Sequence, residues 1–401
     1  MERVILHCDC NCFFASVEAA LNPELNKYAF AVCGDPEQRH GIILAKNEKA
    51  KQYGVKTGEA IWQAKAKCPN LLTVPSHYRE YKEFSERIFE IYCRYTDLVE
   101  PFGIDECWLD VTGSVHLFGS GKEIADELRD VIKKEVGVTI SVGVSYNKIF
   151  AKMGSDYKKP DATTEITREN FRKLLHPLPI GDLFMVGRKT SEKLRSIGIR
   201  TIGDAAEINE NQLYRLLGEN GRVIWQYANG YDYAPVLRFD YREAYKSIGN
   251  GATFKRDLKD FKDVRTCVFF LCDKVSARLR KHNYECSALQ VGIKDTNFQT
   301  IQRSSQLPSP TDLSYDLRNA VLSLIEANFD IEKEPIRSLT VTGMKLLNGD
   351  EVCEQISFLD LDYHIKREKE HRLECTKDNI RHKYGLGTIT RCSFIDNDFG
   401  F

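Results

Sequence analysis

RVILHCDCNCFFASVEAAL, residues 3–21, opens as an apolar run with strand character and continues as FFASVEAAL, whose apolar spacing is helical. Where the two meet, one aspartate, Asp9, stands among Cys8, Cys10 and Cys12. Alternate side chains of a strand share a face, which puts the three sulfurs on one side and His7, Asp9 and Asn11 on the other. Two chemistries fit: a thiolate metal site, or a carboxylate site beside sulfurs that only pack. A zinc site pairs ligands around a turn and needs a second pair elsewhere. No C-x-x-C pair occurs elsewhere in the chain, so the sulfurs read as small buried hydrophobes.

The carboxylate reading finds its partners in LVEPFGIDECWLDVTGS, residues 98–114, two strand-like runs bent at Gly103-Ile-Asp. Asp105 and Glu106 are adjacent and would point apart on a regular strand; a bend, which Gly103 supplies, lets both face one site. Between the two stretches lie strand-like YAFAVCG and GIILA, short helices KNEKAKQYG and GEAIWQAKAKC, and the amphipathic helix HYREYKEFSERIFEIYCRY. That last helix carries Tyr81, Phe84, Ile88, Ile91 and Tyr95 on one stripe. A helix KEIADELRDVIKKEV and a strand TISVGVS follow. The larger elements run β-α-β-β-α-β, with residues 20–76 inserted after the first helix: a ferredoxin-like antiparallel sheet backed by helices. Flanking strands of such a sheet bring Asp9 beside Asp105 and Glu106. Three clustered carboxylates repel one another and call for divalent cations, and hard oxygen donors favour Mg²⁺. Paired ions of that kind serve phosphoryl transfer.

Residues 168–232 turn mostly helical, punctuated by Gly187, Gly198, Gly203 and Gly218. GYDYAPVLRFDYREAY reads as a connector, and 246–348 repeats β-α-β-β-α-β. The fold class is α+β multidomain, and 401 residues suit two to four domains. With 42% hydrophobic and 29% charged residues the composition is that of an ordinary soluble protein. No apolar run approaches the ~18 residues of a membrane span, and no charged-then-apolar leader opens the sequence. Thirteen cysteines, an odd number scattered through strands and helices, fit free thiols in a reducing cytosol. Net charge is −1, distributed as −4 over residues 1–167, +2 over 168–232, +4 over 233–348 and −3 over 349–401. An acidic front with a basic middle is compatible with metal ions held in one domain and phosphates gripped by others.

DCNCFFASVE (9–18), GIDECWLD (103–110) and SVGVSYNKIFAKMGSDYKKP (141–160) resemble, in order, three motifs of the Y-family translesion DNA polymerases of the bacterial polymerase IV and UmuC-like branches. The resemblance runs from residue 2 to about 348. It implies a palm over 1–167 with fingers inserted at about 20–76, a helical thumb over 168–232, a linker over 233–245, a little finger over 246–348 and a tail over 349–401. It implies an enzyme that adds deoxynucleotides to a primer 3′-OH with two Mg²⁺ ions and copies past damaged bases. Asp9, Asp105 and Glu106 become the catalytic carboxylates and metal ligands, with the backbone carbonyl of Cys10 completing one site. Phe14 becomes a steric gate against the ribose 2′-OH, with Phe13 the next candidate and one of the pair an ordinary core aromatic. Lys159 becomes the cation on the incoming triphosphate; Lys51 is a second, or a solvated helix residue. Asn11 replaces an aspartate of the polymerase IV type, and AKNEKAKQYGVKTG (45–58) offers Glu48 and Lys51 where that type has Asn-Tyr-x-x-Arg. Both resemble the UmuC-like branch.

LFMVGRKTSEKLRSIGI (183–199) has the look of a helix-hairpin-helix, placing Gly187, Lys189 and Thr190 against one DNA phosphate; an ordinary αα-corner is the alternative. KSIGNGATF (246–254) would lay Lys246 and Ser247 along the DNA backbone, with Arg256, Arg278, Arg280 and Lys281 adding charge. In the tail, Gln355, Ile356, Ser357, Phe358 and Leu359 resemble the peptide by which bacterial polymerases dock on the DNA polymerase III beta sliding clamp. The expected partners are primer–template DNA and that clamp, for a monomer in the cytoplasm at the nucleoid with no membrane attachment. The helix-like stretch 365–385 is expected to fold back on the body. A catalytically silent scaffold and a nucleotidyl cyclase are the rival readings.

Overall fold

Strand β1 (Ile5–Cys10) is buried at every residue because it is the middle strand of a five-stranded sheet and is covered on both faces. The computed structural model describes residues 2–35, 37, 39, 41–241, 243–351, 361–385, 387–395 and 397–400, with the side chains of 361–364 left out. After β1 come α1 (Phe13–Leu21), β2 (Phe30–Cys33), β3 (Ile43–Lys46), α2 (Glu48–Gln52), α3 (Ile61–Lys67), β4 (Leu72–Pro75) and α4 (Tyr78–Tyr92). The chain continues through β5 (Val99–Pro101), β6 (Glu106–Asp110), α5 (Val115–Phe118), α6 (Gly121–Glu135), β7 (Ile140–Ser145), α7 (Lys148–Tyr157) and β8 (Thr163–Ile166). The sheet order is β5-β6-β1-β7-β8, with β1 antiparallel to both neighbours. This is the expected β-α-β-β-α-β core, extended by β8, which pairs parallel to β7 and which sequence periodicity does not announce. The inserted segment forms its own small sheet, β3-β2-β4.

The two faces of β1 are chemically different. Leu6, Cys8 and Cys10 join Tyr81, Ile88 and Tyr92 of α4 and Ile124, Leu128 and Ile132 of α6 in one apolar core. The stripe expected on α4 is buried there, Tyr95 included. On the other face α7 packs across β1 and β7. It approaches so closely at Gly143 that a Cβ there would collide with the Ala151 carbonyl oxygen and lie 2.5 Å from the Ser155 nitrogen.

Beyond β8 run α8 (Phe171–Leu175), α9 (Arg188–Ser196), α10 (Ile202–Glu207), α11 (Glu210–Leu217) and α12 (Glu219–Ala228), sharing a core that includes Phe171, Leu194, Leu213 and Ile224. The connector that follows is strapped down at its start. Val236 is buried with Ile5, Trp108 and Ala151, and Glu100 accepts hydrogen bonds from the Leu237 N–H (2.9 Å) and from Lys148 (2.6 Å). These segments make up the first of two units, Met1–Gly34 with Gly41–Arg242.

The second unit, Asp35–His40 with Glu243–Phe401, contains β9 (Ser247–Leu258), α13 (Phe261–Lys281), β10 (Tyr284–Asp295), β11 (Thr300–Thr311), α14 (Ser314–Asn328) and β12 (Ile336–Asn348). Its sheet order is β11-β10-β12-β9. Alternate residues such as Leu289, Val291 and Ile293 face Val264, Leu271 and Leu317 of the helices. Helix α15 (Leu361–Tyr384) packs on this unit through the buried Arg280, which donates to Asp378 (2.7 Å) and Glu374 (3.1 Å). Arg391 binds Asp273 and Phe399 enters the core, so the end of the chain does fold back on the body. This corrects the reading of Arg280 as DNA-facing: it is committed to Glu374 and Asp378, because a guanidinium removed from water requires carboxylate partners. The more exposed Arg256 pairs with Asp263 and Asp398. Among the described residues no helix is long and apolar enough to cross a membrane.

The tight seating of α7 sets a first test. Gly143→Ala should cost about 3 kcal/mol or more, since backbone, not a flexible side chain, would have to yield; urea unfolding followed by Trp fluorescence measures it. A variant as stable as the parent would mean that α7 is not clamped at this point.

Candidate active site

Asp9 and Glu106 are brought face to face by strand register, Asp9 on β1 opposite Glu106 on β6. Asp105 stands at the bend just before β6, and its carbonyl accepts the Cys10 N–H at 3.0 Å. The sequence therefore converges on one place, the end of the β1–β6 pair, and Asp9 there is only 4% exposed. Two lysines of the α7 region meet these carboxylates. Lys152 Nζ lies 3.0 Å from Asp9 Oδ2, 2.9 Å from Glu106 Oε2 and 3.3 Å from Asp156. Lys159 Nζ lies 2.6 Å from Asp9 Oδ1 and 2.8 Å from Asp156. His7, fully buried, puts Nε2 3.3 Å from Glu106 Oε2 and Nδ1 2.8 Å from Ser155 Oγ.

The adjacent carboxyls are driven in opposite directions. Burial, with the charges of Asp9 and Glu106 added, pushes Asp105 up to about 6. Burial also pushes Glu106 up, but the Lys152 ammonium, 2.9 Å from Oε2, outweighs it and holds the carboxyl below the usual carboxylate range. Lys152 is likewise opposed by burial, yet the surrounding carboxylates hold it above the usual lysine range. The centre is an acidic pocket in which two ammonium groups serve part of the carboxylates and leave Asp105 poorly neutralised. A cleft of about 410 Å³ opens beside it, lined by Gly103, Asp105, Glu106, Phe89 and Tyr92.

The thiolate alternative fails on burial. Cys8 and Cys10 point into the apolar core, where desolvation raises both thiols far above their ordinary range. Cys12 does not share their face, as strand alternation suggests: the strand ends at Cys10, and Cys12 caps α1 with φ 50° and its Sγ 3.4 Å from Glu48. Asn11 is buried by hydrogen bonds with Thr139 and Ser141 instead of joining Asp9.

The remaining candidates separate. Phe13 is 3% exposed in the core, which corrects its place as a nucleotide-contacting ring; Phe14 is half-buried, stacked on Tyr81 at 4.2 Å. Lys51 is exposed on α2, 3.4 Å from Glu48. Gly187 caps the N-terminus of α9, with Lys189 exposed and Thr190 half-buried. Lys246 is exposed and paired with Glu243 at 3.2 Å, and the exposed Ser247 starts β9. Residues 355–359 lie outside the described residues. Sequence reasoning missed His7, Ser155 and Lys152. A signal for Lys152 existed: it stands four residues before Asp156, on the same face of α7.

Residues 8–156 match the impB/mucB/samB family, residues 245–358 that family's C-terminal domain, and residues 168–199 the IMS family HHH motif. The chain is 46% identical to the DNA polymerase IV of Acetivibrio thermocellus, over 98% of this chain and 97% of that one. It is 35% identical to the DNA polymerase IV of Clostridium kluyveri (98% and 99% covered) and 36% identical to the DNA polymerase IV 1 of Bacillus subtilis (97% and 92%). Among solved structures, a Y-family DNA polymerase chimera of Dbh and Dpo4 aligns with a TM-score of 0.76 at 24% identity, covering 86% of this chain and 99% of that one. That likeness bears on the fold, which is the α+β multidomain arrangement expected from the sequence.

The raised Asp105 carboxyl carries a stability prediction. Its native form keeps a proton that the unfolded chain releases near pH 4, so without metal the residue costs stability as pH rises from about 4 to about 6. Above that window the penalty is complete, at up to about 3 kcal/mol. Asp105→Asn should therefore raise the urea midpoint of the chelator-treated protein at pH 8 and change it little at pH 4. An unchanged midpoint at pH 8 would mean that Asp105 bears no repulsion.

Proposed function

The chain belongs to the impB/mucB/samB family, and on that premise we propose that it works as a Y-family, template-directed DNA polymerase that extends a primer 3′-OH and bypasses damaged template bases. The observation that carries this reading is the convergence of Asp9, Asp105 and Glu106 at one strand end beside Lys152 and Lys159. The donor set fits a divalent metal: its oxygens are hard, and burial together with the charges of Asp9 and Glu106 raises the Asp105 carboxyl, a cost that a bound cation would relieve. Asp9, Asp105 and Glu106, with the Cys10 carbonyl, would hold two Mg²⁺ ions. Bound there, such ions stabilise the attacking and leaving oxygens of an in-line displacement.

Other residues take the roles their positions support. Lys159, now paired with Asp9 and Asp156, is a mobile point charge able to turn to an incoming triphosphate, with Lys51 on α2 as a second. Phe14 rests flat on Tyr81, and a ring held from behind resists displacement by a ribose 2′-OH. Gly187, at the N-terminus of α9 and followed by Lys189 and Thr190, suits a DNA phosphate. Lys246 and Ser247 offer a further phosphate contact at the start of β9. Residues 355–359 would tether the enzyme to the sliding clamp, each later encounter with the primer end becoming intramolecular.

Primer extension with Mg²⁺, on an undamaged template and on one carrying an abasic site, tests the assignment. Asp105→Ala and Glu106→Ala should abolish extension with DNA affinity kept within a few-fold, and Phe14→Ala should raise ribonucleotide use by orders of magnitude. Extension that survives both carboxylate variants would defeat the assignment. For the tether, Phe358→Ala with Leu359→Ala should reduce clamp-stimulated synthesis and leave the clamp-free rate unchanged. Each apolar side chain is worth roughly 1.5–3 kcal/mol when buried, but ordering the peptide offsets much of it, so micromolar affinity is expected. Clamp binding by calorimetry that ignores the double variant would remove these residues from the contact.

A further inference from the structure

His7 lies fully buried on the Asp9 face of β1, and its ring is fixed on three sides. Trp108 packs edge-on with ring centroids 5.1 Å apart. Nδ1 lies 2.8 Å from Ser155 Oγ, and that hydroxyl donates to the Lys152 carbonyl, also at 2.8 Å. A hydroxyl has one hydrogen to give, so toward His7 the Ser155 oxygen accepts and Nδ1 carries the N–H. The lone pair of the neutral ring is then at Nε2. Nε2 is shut off from solvent and points at Glu106, 3.3 Å from Oε2, without hydrogen-bond geometry. A lone pair turned toward a carboxylate is repelled unless a cation stands between them.

The surroundings provide for one. One ligand atom each from His7, Asp9 and Glu106 lies within 4.8 Å of the other two. Metal–ligand bonds of about 2.0–2.2 Å allow two donors on one ion a separation of up to about 4.4 Å, so small shifts close the set. We infer that His7, Asp9 and Glu106 form a mixed nitrogen–oxygen site for a divalent transition-metal ion, beyond the all-oxygen ligand set of the carboxylates. Imidazole is a poor ligand for Mg²⁺ and a good one for transition metals. The Lys152 ammonium, between Asp9 and Glu106, marks where positive charge is stabilised, and Asp156, 3.3 Å away and half-exposed, gives it a place to withdraw. Ser155 is the outer partner that aims the ring, as the second hydrogen bond of a metal-binding histidine commonly does. The inference rests on this cluster and not on the polymerase assignment.

Mn²⁺ is a suitable probe, being paramagnetic and indifferent to the buried thiols. The full-length chain, stripped with chelator and loaded with Mn²⁺ alone, should show in pulsed EPR the hyperfine coupling of a directly bound imidazole nitrogen. His7→Phe should abolish that coupling while Mg²⁺ affinity stays within about two-fold. Ser155→Ala should keep the coupling and weaken Mn²⁺ binding on the order of 10-fold. Bound Mn²⁺ with no nitrogen coupling, or a coupling that persists in His7→Phe, overturns the site. If circular dichroism finds His7→Phe unfolded, Lys152→Met decides: removing the competing ammonium must tighten Mn²⁺ binding, and an unchanged affinity overturns the inference. No readout uses primer extension, so failure here leaves the polymerase assignment standing.

Discussion

The carboxylate centre depends on the register of β1 against β6. Asp9 faces Glu106 only because Cys8 faces Cys107 and Leu6 faces Leu109, and a slip of one residue would turn Asp9 into the apolar core. That slip is forbidden by chemistry on both sides of the strand. Leu6, Cys8 and Cys10 are surrounded by α4 and α6, where a carboxylate could not be solvated. His7 and Asp9 face α7, which supplies Ser155 and Lys152 as partners. The cysteines that first suggest a metal site thus serve the opposite purpose: their burial holds the strand so that its acidic residue faces the other way.

Helix α7 is the second constraint, and it is linked to the first. Gly143 permits an approach that no side chain would allow, and this closeness brings the lysines of α7 and its end onto Asp9, about 150 residues away in sequence. The resulting balance is incomplete. Glu106 is well served by Lys152, whereas Asp105, at the bend, gains burial and like charge and is pushed up. An unevenly neutralised centre is less stable without metal than an apolar or amide-filled one, and for that reason retains affinity for cations.

In the second unit the same physics closes the chain. Arg280 is buried at the end of α13, and a buried guanidinium without partners would be strongly destabilising. Glu374 and Asp378 of α15 meet that need, and Arg391 and Phe399 extend the contact. The described residues beyond α15 therefore contribute to a folded body, although their sequence is polar and shows no strong apolar period.

Strand alternation, one glycine bend and helical apolar spacing are local properties, and they were enough to read the ferredoxin-like order, the β-α-β-β-α-β second unit and the meeting of Asp9, Asp105 and Glu106. Phe14 and Gly187 were singled out by the resemblance to the Y-family motifs and not by such local rules. Tertiary structure alone decided which partner each long or buried side chain finds. It sent Phe13 inward and left Phe14 half-exposed, lifted Cys12 off the strand, tied Arg256 and Arg280 to acids far along the chain, and set His7 against Glu106 with its outer nitrogen on Ser155. Periodicity states which face a residue occupies. What stands opposite that face is settled by packing between segments distant in sequence, and the energies of burial and ion pairing, which fix the charges of this site, depend on those neighbours alone.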